Sequence, residues 1–396
     1  MRVLFIPLAP THYFHMVPLA WALRTAGHEV RVATQAPAVD AVTQSGMTAV
    51  AVGDGYHFMP NATASQQRIE ERLGRIPLNI DTGEDTGLSA EDLTWLNMER
   101  FGVLISTAAA MADDLAEFSR WWRPDLVVTD PLALAAPLAS EVVGAPLLRH
   151  LWGLGAPGAG VPPEIWPPQF RELFDRHGVT PRADFAAGNI DPCPGSLQLP
   201  EVRDRIPVRP VPYNGSGLVP DWLAQPAERP RVCLTMGTVV TGVRDGGGVL
   251  GRDLLEALAG LDVEIVAAVG AADREQLGEP PAGVRIVEQL PLHLLLPSCD
   301  AVIHHGGAST VLTSLYDGVP QLLHPEADDY PMARALSGAR AAVLLPEEFG
   351  VDDVRAGVRK LLDDDAVRAA AGKLRDEVRA QPAPAEVVGT LEKLIG

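Results

Sequence analysis

The chain has 396 residues, which favours two domains over one, and 51 acidic against 32 basic residues give it a formal net charge of −19. Such a chain is not expected to bind nucleic acid, since neutralising a phosphate backbone requires a basic surface. No apolar run reaches the length needed to span a membrane, so no membrane partner is expected. The three cysteines, Cys193, Cys233 and Cys299, form no CxxC pair, which favours reduced thiols in a cytoplasmic protein.

The first half opens with the pattern of a strand, a loop and a helix. Residues 3–6 form a short apolar run typical of a buried parallel strand, residues 7–11 are predicted as a loop, and residues 17–25 have helical periodicity. The stretch HEVRVAT then predicts a second strand. This βαβ start predicts an α/β fold with a parallel sheet and helices on both faces.

The second half repeats this order after Pro230. Strands are predicted in RVCLTMGT, VEIVAAV, VRIVEQL, AVIHH, QLLHP and AAVLLP, with helical segments between them. The proline-rich stretch before Pro230 lacks periodicity and predicts a linker. The predicted organisation is an N-terminal domain over residues 1–205, a linker over 206–229, a C-terminal domain over 230–380, and a last helix over 381–396 that packs back on the N-terminal domain.

The motif HHGGAST, residues 304–310, lies between a predicted strand and a predicted helix. Gly306 and Gly307 allow the backbone to turn sharply and to approach a ligand, and the serine and threonine that follow suit a helix start. The N–H groups of a helix start attract anions, and His305 adds a hydrogen-bond donor or a positive charge. The motif predicts a phosphate site; the alternative is a capped helix beside a buried histidine.

An acidic loop follows the next predicted strand. Residues 326–329 read Glu-Ala-Asp-Asp and come directly after QLLHP. Carboxylates repel phosphate but accept hydrogen bonds from sugar hydroxyls. An anion site beside such acceptors indicates a nucleotide sugar as the ligand.

Three stretches carry a resemblance to a known family. They are THYFHMVPLAWALRTAGHEVRVAT near the start, VEQLPLHLLLPSCDAVIHHGGAST, and DGVPQLLHPEADDYPMARAL near the end. In this order they resemble the GT-B-fold, family 1 glycosyltransferases, and among these the actinobacterial natural-product enzymes that transfer deoxysugars from dTDP. Residues 55–115 match no motif. The resemblance implies the GT-B fold, in which two Rossmann-like domains with parallel sheets face each other across a cleft.

The resemblance also implies that the C-terminal half binds the nucleotide sugar. His305 takes the place of the histidine that contacts the diphosphate. Asp328 and Asp329 take the place of the pair that holds the sugar, in which the second residue of the family is often glutamine. The nucleobase is expected against residues 287–290, Val-Glu-Gln-Leu, where the family commonly has an aromatic residue. The resemblance therefore does not decide between thymine and uracil. The implied donor-binding residues are Thr235, Gly237, Thr238, Gln289, Leu290, His305, Gly307, Ala308, Ser309, Thr310, Asp328 and Asp329.

In the first half, the resemblance implies a catalytic base on a histidine after the first strand. His12 fits the placement in the bacterial macrolide and polyketide enzymes and is favoured, whereas His15 fits the placement in the plant enzymes. Asp130 falls where plant members orient the base with a carboxylate; alternatively it ends a strand and caps the next helix. The predicted acceptor contacts are Tyr13, Tyr56, Phe58 and Trp152.

The implied reaction is the inverting transfer of a deoxysugar from dTDP, with UDP kept open, to a hydrophobic polyketide-type acceptor, aromatic polyketide favoured over macrolide. The new bond is C–O or C–C. No cofactor and no metal are expected, since the acidic pairs show no ligand pattern. A homodimer and an auxiliary activator protein stay open. Alternatives are a non-catalytic nucleotide-sugar-binding or auxiliary protein, a nucleotide-sugar epimerase, and a dinucleotide oxidoreductase, which would require a GxGxxG motif that is absent.

Overall fold

The computed structural model describes residues 1–80, 84–157, 160–237, 254–270, 274 and 279–396. The chain divides into two compact units. The first contains residues 1–65, 90–215 and 381–396, and the second contains residues 66–89 and 216–380. No helix among the described residues is long and apolar enough to cross a membrane.

The first unit is built on a parallel sheet of seven strands in the order β3-β2-β1-β4-β5-β6-β7. Successive side chains of a strand point to opposite faces, and in β1 Leu4 and Ile6 join one apolar cluster while Val3 and Phe5 join another. Both faces of the sheet are therefore buried. The strands are β1 (Arg2–Ile6), β2 (Glu29–Thr34), β3 (Thr48–Ala51), β4 (Leu126–Thr129), β5 (Leu147–His150), β6 (Ala186–Asp191) and β7 (Arg205–Pro207).

Helices cover both faces of this sheet. The cluster around Leu4 contains apolar side chains of α4, α5 and α6, and the cluster around Val3 contains those of α1, α2 and the last helix of the chain. The helices up to this point in the sequence are α1 (Pro10–Thr25), α2 (Val39–Gln44), α3 (Phe58–Leu73), α4 (Ala90–Trp122), α5 (Ala136–Glu141) and α6 (Pro168–Arg176).

The second unit is built on a parallel sheet of six strands in the order β10-β9-β8-β11-β12-β13. All six strands predicted for the second half are present, and together the two parallel sheets confirm the α/β fold class. The strands are β8 (Arg231–Leu234), β9 (Glu264–Val269), β10 (Val284–Glu288), β11 (Ala301–His304), β12 (Gln321–Leu323) and β13 (Ala342–Leu344). The helices are α7 (Leu292–Leu295), α8 (Ala308–Asp317), α9 (Tyr330–Gly338), α10 (Val351–Asp363) and α11 (Asp365–Ala380).

The last helix, α12 (Pro384–Ile395), belongs to the first unit although it follows the second in sequence. Val387, Val388 and Leu391 are buried in the same cluster as the core side chains of α1. His28 Nε2 also lies 3.0 Å from the carboxylate of Glu392. Apolar burial on α1 therefore fixes the end of the chain.

Two local predictions differ from the structure. The loop predicted over residues 7–11 is wrong at its end, because α1 begins at Pro10, a residue favoured in the first helical turn. His12 is consequently a helix residue. The linker predicted over 206–229 begins inside β7, whose Ile206 pairs with Ile190 of β6.

Each sheet has one point where the strand order reverses. In the first sheet, β2 and β3 lie on one side of β1 and β4 lies on the other; in the second, β9 and β10 lie on one side of β8 and β11 lies on the other. In open parallel sheets, ligands bind beyond the carboxyl ends of the strands at such a reversal. A site is therefore expected among the segments that follow β1 and β4, and among those that follow β8 and β11.

Candidate functional site

A histidine and an aspartate meet beyond β1 and β4. His12 lies in the first turn of α1, Asp130 directly follows β4, and their side chains form a hydrogen bond between Nδ1 and Oδ2. Their separation of 118 positions in the sequence is bridged because β1 and β4 are neighbours in the sheet. His12 keeps 23% of its side chain exposed, while Asp130 is fully buried. The pair presents an accessible imidazole backed by a buried carboxylate.

The surroundings of Asp130 keep its carboxylate ionised. Burial alone would raise the pKa of Asp130, but the nearby His12 and the hydrogen bonds that the carboxylate accepts outweigh burial and lower the pKa. Besides His12, the donors include the backbone N–H groups of Leu132, at 2.8 Å, and Leu8, at 3.4 Å. An ionised carboxylate at Nδ1 holds the proton there and leaves Nε2 of His12 as a base.

Asp130 follows β4 directly and holds His12, but it does not cap the next helix, since α5 begins at Ala136 and its N-cap residue Ala135 has no side-chain cap. Its Oδ1 accepts the Leu132 N–H in the turn after β4, as a strand-ending aspartate does. Its Oδ2 holds His12. The backbone donors from Leu8 and Leu132 were not predicted, since no side chain marks them in the sequence.

His15 lies near the pair, but its environment suits a base poorly. Burial, followed by the nearby imidazoles of His150 and His12, lowers the pKa of His15 to about 3. Burial likewise lowers the pKa of His150, at the end of β5, to about 4. A group with such a low pKa is a weak proton acceptor at neutral pH. The geometry favours His12 over His15.

The four predicted acceptor contacts have different surroundings. Tyr13 is fully buried in the core, and its hydroxyl lies 2.6 Å from Ser45 Oγ. Tyr13 follows His12 by one position in α1, and its side chain packs in the core with those of β1. It therefore has no exposed surface that an acceptor could contact. Trp152 contacts both members of the pair: its ring centroid is 5.0 Å from that of His12, and its indole N–H is 3.5 Å from Asp130 Oδ1.

Tyr56 and Phe58 are held beyond the end of β2 by a residue that the sequence did not single out. The side chain of Gln35 accepts a hydrogen bond from the Phe58 N–H at 2.9 Å and donates one to the Tyr56 carbonyl. Gln35 directly follows β2, so residues 56–58 lie at the same edge of the sheet as His12. The structure buries Gln35, which is uncommon for this residue type, and the sequence carries no signal of that burial beyond a glutamine directly after a predicted strand.

The aromatic residues around Trp166 pack against one another. The ring of Trp166 lies 4.9 Å from that of Phe170 and 5.3 Å from that of Phe174, and its N–H donates to the Val161 carbonyl. Of the two tryptophans, Trp152 therefore lies against the His12–Asp130 pair, while Trp166 packs within its own cluster.

In the second unit, the two histidines after β11 have different surroundings. His304 is fully buried; its Nε2 lies 2.9 Å from Gln321 Oε1 and its Nδ1 accepts the Gly306 N–H at 3.1 Å. Burial, followed by the nearby His305, lowers the pKa of His304 to about 3. This neutral imidazole fixes the turn between β11 and α8 and does not face a ligand.

His305 lies between two glycines. Gly237 follows β8 with φ +73°, and a Cβ built there would lie 2.6 Å from Cε1 of His305; a Cβ at Gly307 would collide with Nε2. Burial lowers the pKa of His305 to about 4, and Nδ1 has no hydrogen-bond partner among the described residues. Of the two roles that the sequence allowed, donor or positive charge, this environment favours a neutral donor.

The start of α8 lies next to His305. The helix begins at Ala308 after Gly307, whose position has no side-chain cap, and the N–H groups of a first helical turn have no partner within their own helix. Thr310 is buried, and the Ser309 carbonyl accepts a hydrogen bond from the Thr313 hydroxyl. The predicted helix start is therefore present at the reversal between β8 and β11, where an anion would be stabilised.

The remaining predicted donor residues are spread around this turn. Thr235 is buried, and its Oγ1 accepts the Gly237 N–H at 3.4 Å. Asp329 Oδ2 lies 3.9 Å from His305 Nε2. Gln289 has a left-handed φ of +52° and is exposed, while Leu290 packs on an apolar cluster with Trp222. Thr238 and the Asp328 side chain lie outside the described part of the chain.

The part of the chain that the structure describes contains no group of three or more histidine, cysteine, aspartate or glutamate side chains arranged to hold a metal ion.

The cysteines are free thiols. A hydrogen bond with Cys299, and then burial, raise the pKa of Cys233 well above its ordinary value. The two thiols lie together in the second unit although 66 positions separate them in the sequence.

Comparison with known proteins assigns the family. Residues 21–237 match the model of the erythromycin biosynthesis protein CIII-like N-terminal domain, and residues 252–394 match that of the corresponding C-terminal domain. The chain is 39% identical to 10-deoxymethynolide desosaminyltransferase of Streptomyces venezuelae, covering 100% of this chain and 97% of that protein. It is 37% identical to aclacinomycin-T 2-deoxy-L-fucose transferase of Streptomyces galilaeus, covering 100% and 96%.

Solved structures agree. Spinosyn forosaminyltransferase SpnP superposes with a TM-score of 0.80 at 35% identity, over 100% of this chain and 99% of that one. The glycosyltransferase VinC, in complex with dTDP, superposes with a TM-score of 0.81 at 31% identity, over the same shares. The chain therefore belongs to the erythromycin biosynthesis protein CIII-like family of antibiotic-pathway deoxysugar transferases, which confirms the resemblance seen in the sequence. It is a glycosyltransferase, and its two parallel sheets are those of the GT-B fold.

Proposed function

We propose that the protein transfers a deoxysugar from a dTDP-sugar to a polyketide-type acceptor with inversion at the anomeric carbon. The observation that carries this proposal is the His12–Asp130 pair, an accessible imidazole held by a buried, ionised carboxylate. The two Streptomyces transferases and VinC, which was solved with dTDP, support the donor class. The names of those transferases include both 10-deoxymethynolide and aclacinomycin, so the preference for an aromatic polyketide over a macrolide stays a prediction.

The chemical step follows from the groups present in each unit. Nε2 of His12 takes the proton of the acceptor hydroxyl as the oxygen attacks the anomeric carbon. The bond between that carbon and the diphosphate oxygen breaks, and its electron pair leaves with the diphosphate. Asp130 stabilises the imidazolium that forms and holds its orientation. Single displacement at one carbon inverts its configuration.

The diphosphate is bound in the second unit. Negative charge grows on it as the sugar leaves, and the start of α8 provides N–H groups and the positive end of the helix dipole. His305 adds a hydrogen bond as a neutral imidazole. These groups supply the charge stabilisation that a metal ion provides in other transferases, so we propose that transfer proceeds without one.

Four points rest on the sequence alone. The choice of thymine over uracil depends on apolar contact near Leu290. A homodimer, an auxiliary protein, and a C–C bond in place of C–O are the other three. An acceptor carbon ortho to a phenol would lose its proton to the same base, His12, after the new bond forms.

The decisive experiment pairs turnover with donor binding. The wild-type protein is incubated with dTDP- and UDP-deoxysugars and with aromatic and macrolide aglycones, in buffer with and without EDTA, and the anomeric configuration of the product is read by NMR. His12→Gln should lower kcat by at least about a hundredfold while the Kd of thymidine diphosphate stays within twofold, because general-base catalysis contributes about 10²–10⁴ and His12 does not bind the nucleotide.

Three results would reject parts of this proposal. Retention of configuration would exclude single displacement. Loss of turnover in EDTA, restored by Mg²⁺, would exclude the metal-independent mechanism. An unchanged kcat in His12→Gln would move the base to His15, which His15→Gln then tests in the same assay.

A further inference from the structure

Each oxygen of the Asp130 carboxylate has two hydrogen-bond donors. Oδ2 accepts from His12 and from the Leu8 N–H, and Oδ1 accepts from the Leu132 N–H and the Trp152 indole N–H. Trp152, like His12, donates to this carboxylate from a side chain. Its bond, at 3.5 Å, is longer than those of the two backbone donors and is therefore weak.

Trp152 also packs against the imidazole itself. The ring centroids of Trp152 and His12 are 5.0 Å apart with an interplanar angle of 33°, within the range of favourable aromatic contacts. A ring in this position limits rotation of the imidazole away from Asp130. One side chain therefore contacts both members of the pair.

The backbone that carries Trp152 is itself held. Leu151 donates its N–H to the Ile190 carbonyl at 2.8 Å, continuing the pairing of β5 with β6. Beyond Trp152, the Gln198 side chain donates to the Gly153 carbonyl at 3.2 Å and accepts the Gly155 N–H at 2.8 Å. A side chain on such an anchored segment can fix the position of its neighbours.

We propose that Trp152 is a positioning residue: its indole N–H and ring hold the His12–Asp130 pair in the geometry needed for proton transfer. The proposal rests on the proposed function and replaces the sequence-based assignment of Trp152 as an acceptor contact. Groups that face the carboxylate from neighbouring elements add no charge of their own, since the pKa values of His15 on α1 and His150 on β5 lie at about 3 and about 4. The orientation of the pair therefore depends on hydrogen bonding and packing.

The test compares three variants with the wild-type protein. Trp152→Phe keeps an aromatic ring and removes the N–H, and Trp152→Leu removes both. Trp166→Phe is the matched control, because it also removes an indole N–H. Trp166 lies in the same part of the chain but packs on Phe170 and donates to the Val161 carbonyl. For each protein, kcat, the KM of the acceptor, the Kd of thymidine diphosphate and the melting temperature are measured. The proton resonance of the His12 Nδ1–H is recorded by NMR with labelled histidine and without substrate.

We expect Trp152→Phe to lower kcat about two- to fivefold, the loss that corresponds to one weak hydrogen bond. The KM of the acceptor and the Kd of thymidine diphosphate should stay within twofold. The His12 resonance should shift in Trp152→Phe and broaden further in Trp152→Leu, whose kcat should be lower still. Trp166→Phe should match the wild type in every kinetic value and in the resonance.

Two results would overturn the proposal. A rise in the acceptor KM with kcat and the His12 resonance unchanged would make Trp152 an acceptor contact, and wild-type values throughout would give it no role. A wild-type protein that turns over no nucleotide sugar would refute the proposed function, while the resonance would still decide whether Trp152 positions the pair. If Trp152→Leu fails to fold, Trp152→Phe and its spectrum suffice for the decision.

Discussion

Substitution of Gly237 by alanine tests whether His305 binds the diphosphate. Gly237 has a φ of +73°, and its added Cβ would lie 2.6 Å from Cε1 of His305. Ordinary contact between carbon atoms is about 3.5 Å or more, so the imidazole must move by about 1 Å. A left-handed alanine also costs about 1–2 kcal/mol of stability.

The expected loss of donor affinity follows from the displaced imidazole. A hydrogen bond to a charged group contributes about 1.5–3 kcal/mol, so Gly237→Ala should weaken the binding of thymidine diphosphate about 10- to 150-fold. Isothermal titration calorimetry measures the Kd, and thermal unfolding measures stability in parallel.

Gly283→Ala is the matched control for backbone strain. Gly283 has a φ of +87° in the same unit, and a Cβ there has no neighbour within 4 Å. This variant should lose similar stability with an unchanged Kd. Equal Kd values for Gly237→Ala and Gly283→Ala would refute the reasoning, because His305 would then contribute nothing to diphosphate binding.

Three further predictions concern the base, the core and the dependence on pH. Asp130→Asn should lower kcat by at least about tenfold while the Kd of thymidine diphosphate is unchanged, because a neutral amide no longer stabilises the imidazolium; wild-type kcat in this variant would remove Asp130 from the mechanism. Tyr13→Phe removes the hydroxyl that bonds Ser45 and should cost about 1 kcal/mol of stability in urea unfolding with an unchanged acceptor KM, whereas a raised KM would return Tyr13 to the acceptor site. His304 has a pKa of about 3 in the folded protein, so between about pH 6.5 and that value the unfolded chain binds a proton that the folded protein does not. Its contribution to stability is therefore present above pH 6.5 and is lost as the pH falls, by about 2 kcal/mol between pH 7 and pH 5. His304→Asn keeps an acceptor near the Gly306 N–H and removes the share of the pH dependence that His304 contributes, so the free energy of unfolding should fall less steeply with decreasing pH. An unchanged slope would show that His304 contributes nothing to it.

The choice between His12 and His15 as the proposed catalytic base needed both the sequence and the structure. The resemblance favoured His12 and kept His15 open, since both lie close to the first strand. The structure separates them through their surroundings: His12 keeps contact with solvent and a carboxylate partner, whereas burial and neighbouring imidazoles lower the pKa of His15 to about 3. Residue type alone does not separate the two histidines; their burial and their partners in the structure do.

The sequence by itself determined the class of fold, since short apolar runs alternating with helical segments are satisfied only by parallel sheets covered on both faces. It also predicted anion binding at the motif of residues 304–310, because glycines before a helix start are a local feature. Only the tertiary structure decided which groups meet. It placed Asp130 against His12 and Trp152, placed His305 between Gly237 and Gly307, and buried Tyr13. These contacts depend on which strands lie side by side and on how completely each side chain is removed from water, and both arise from packing of residues distant in the sequence.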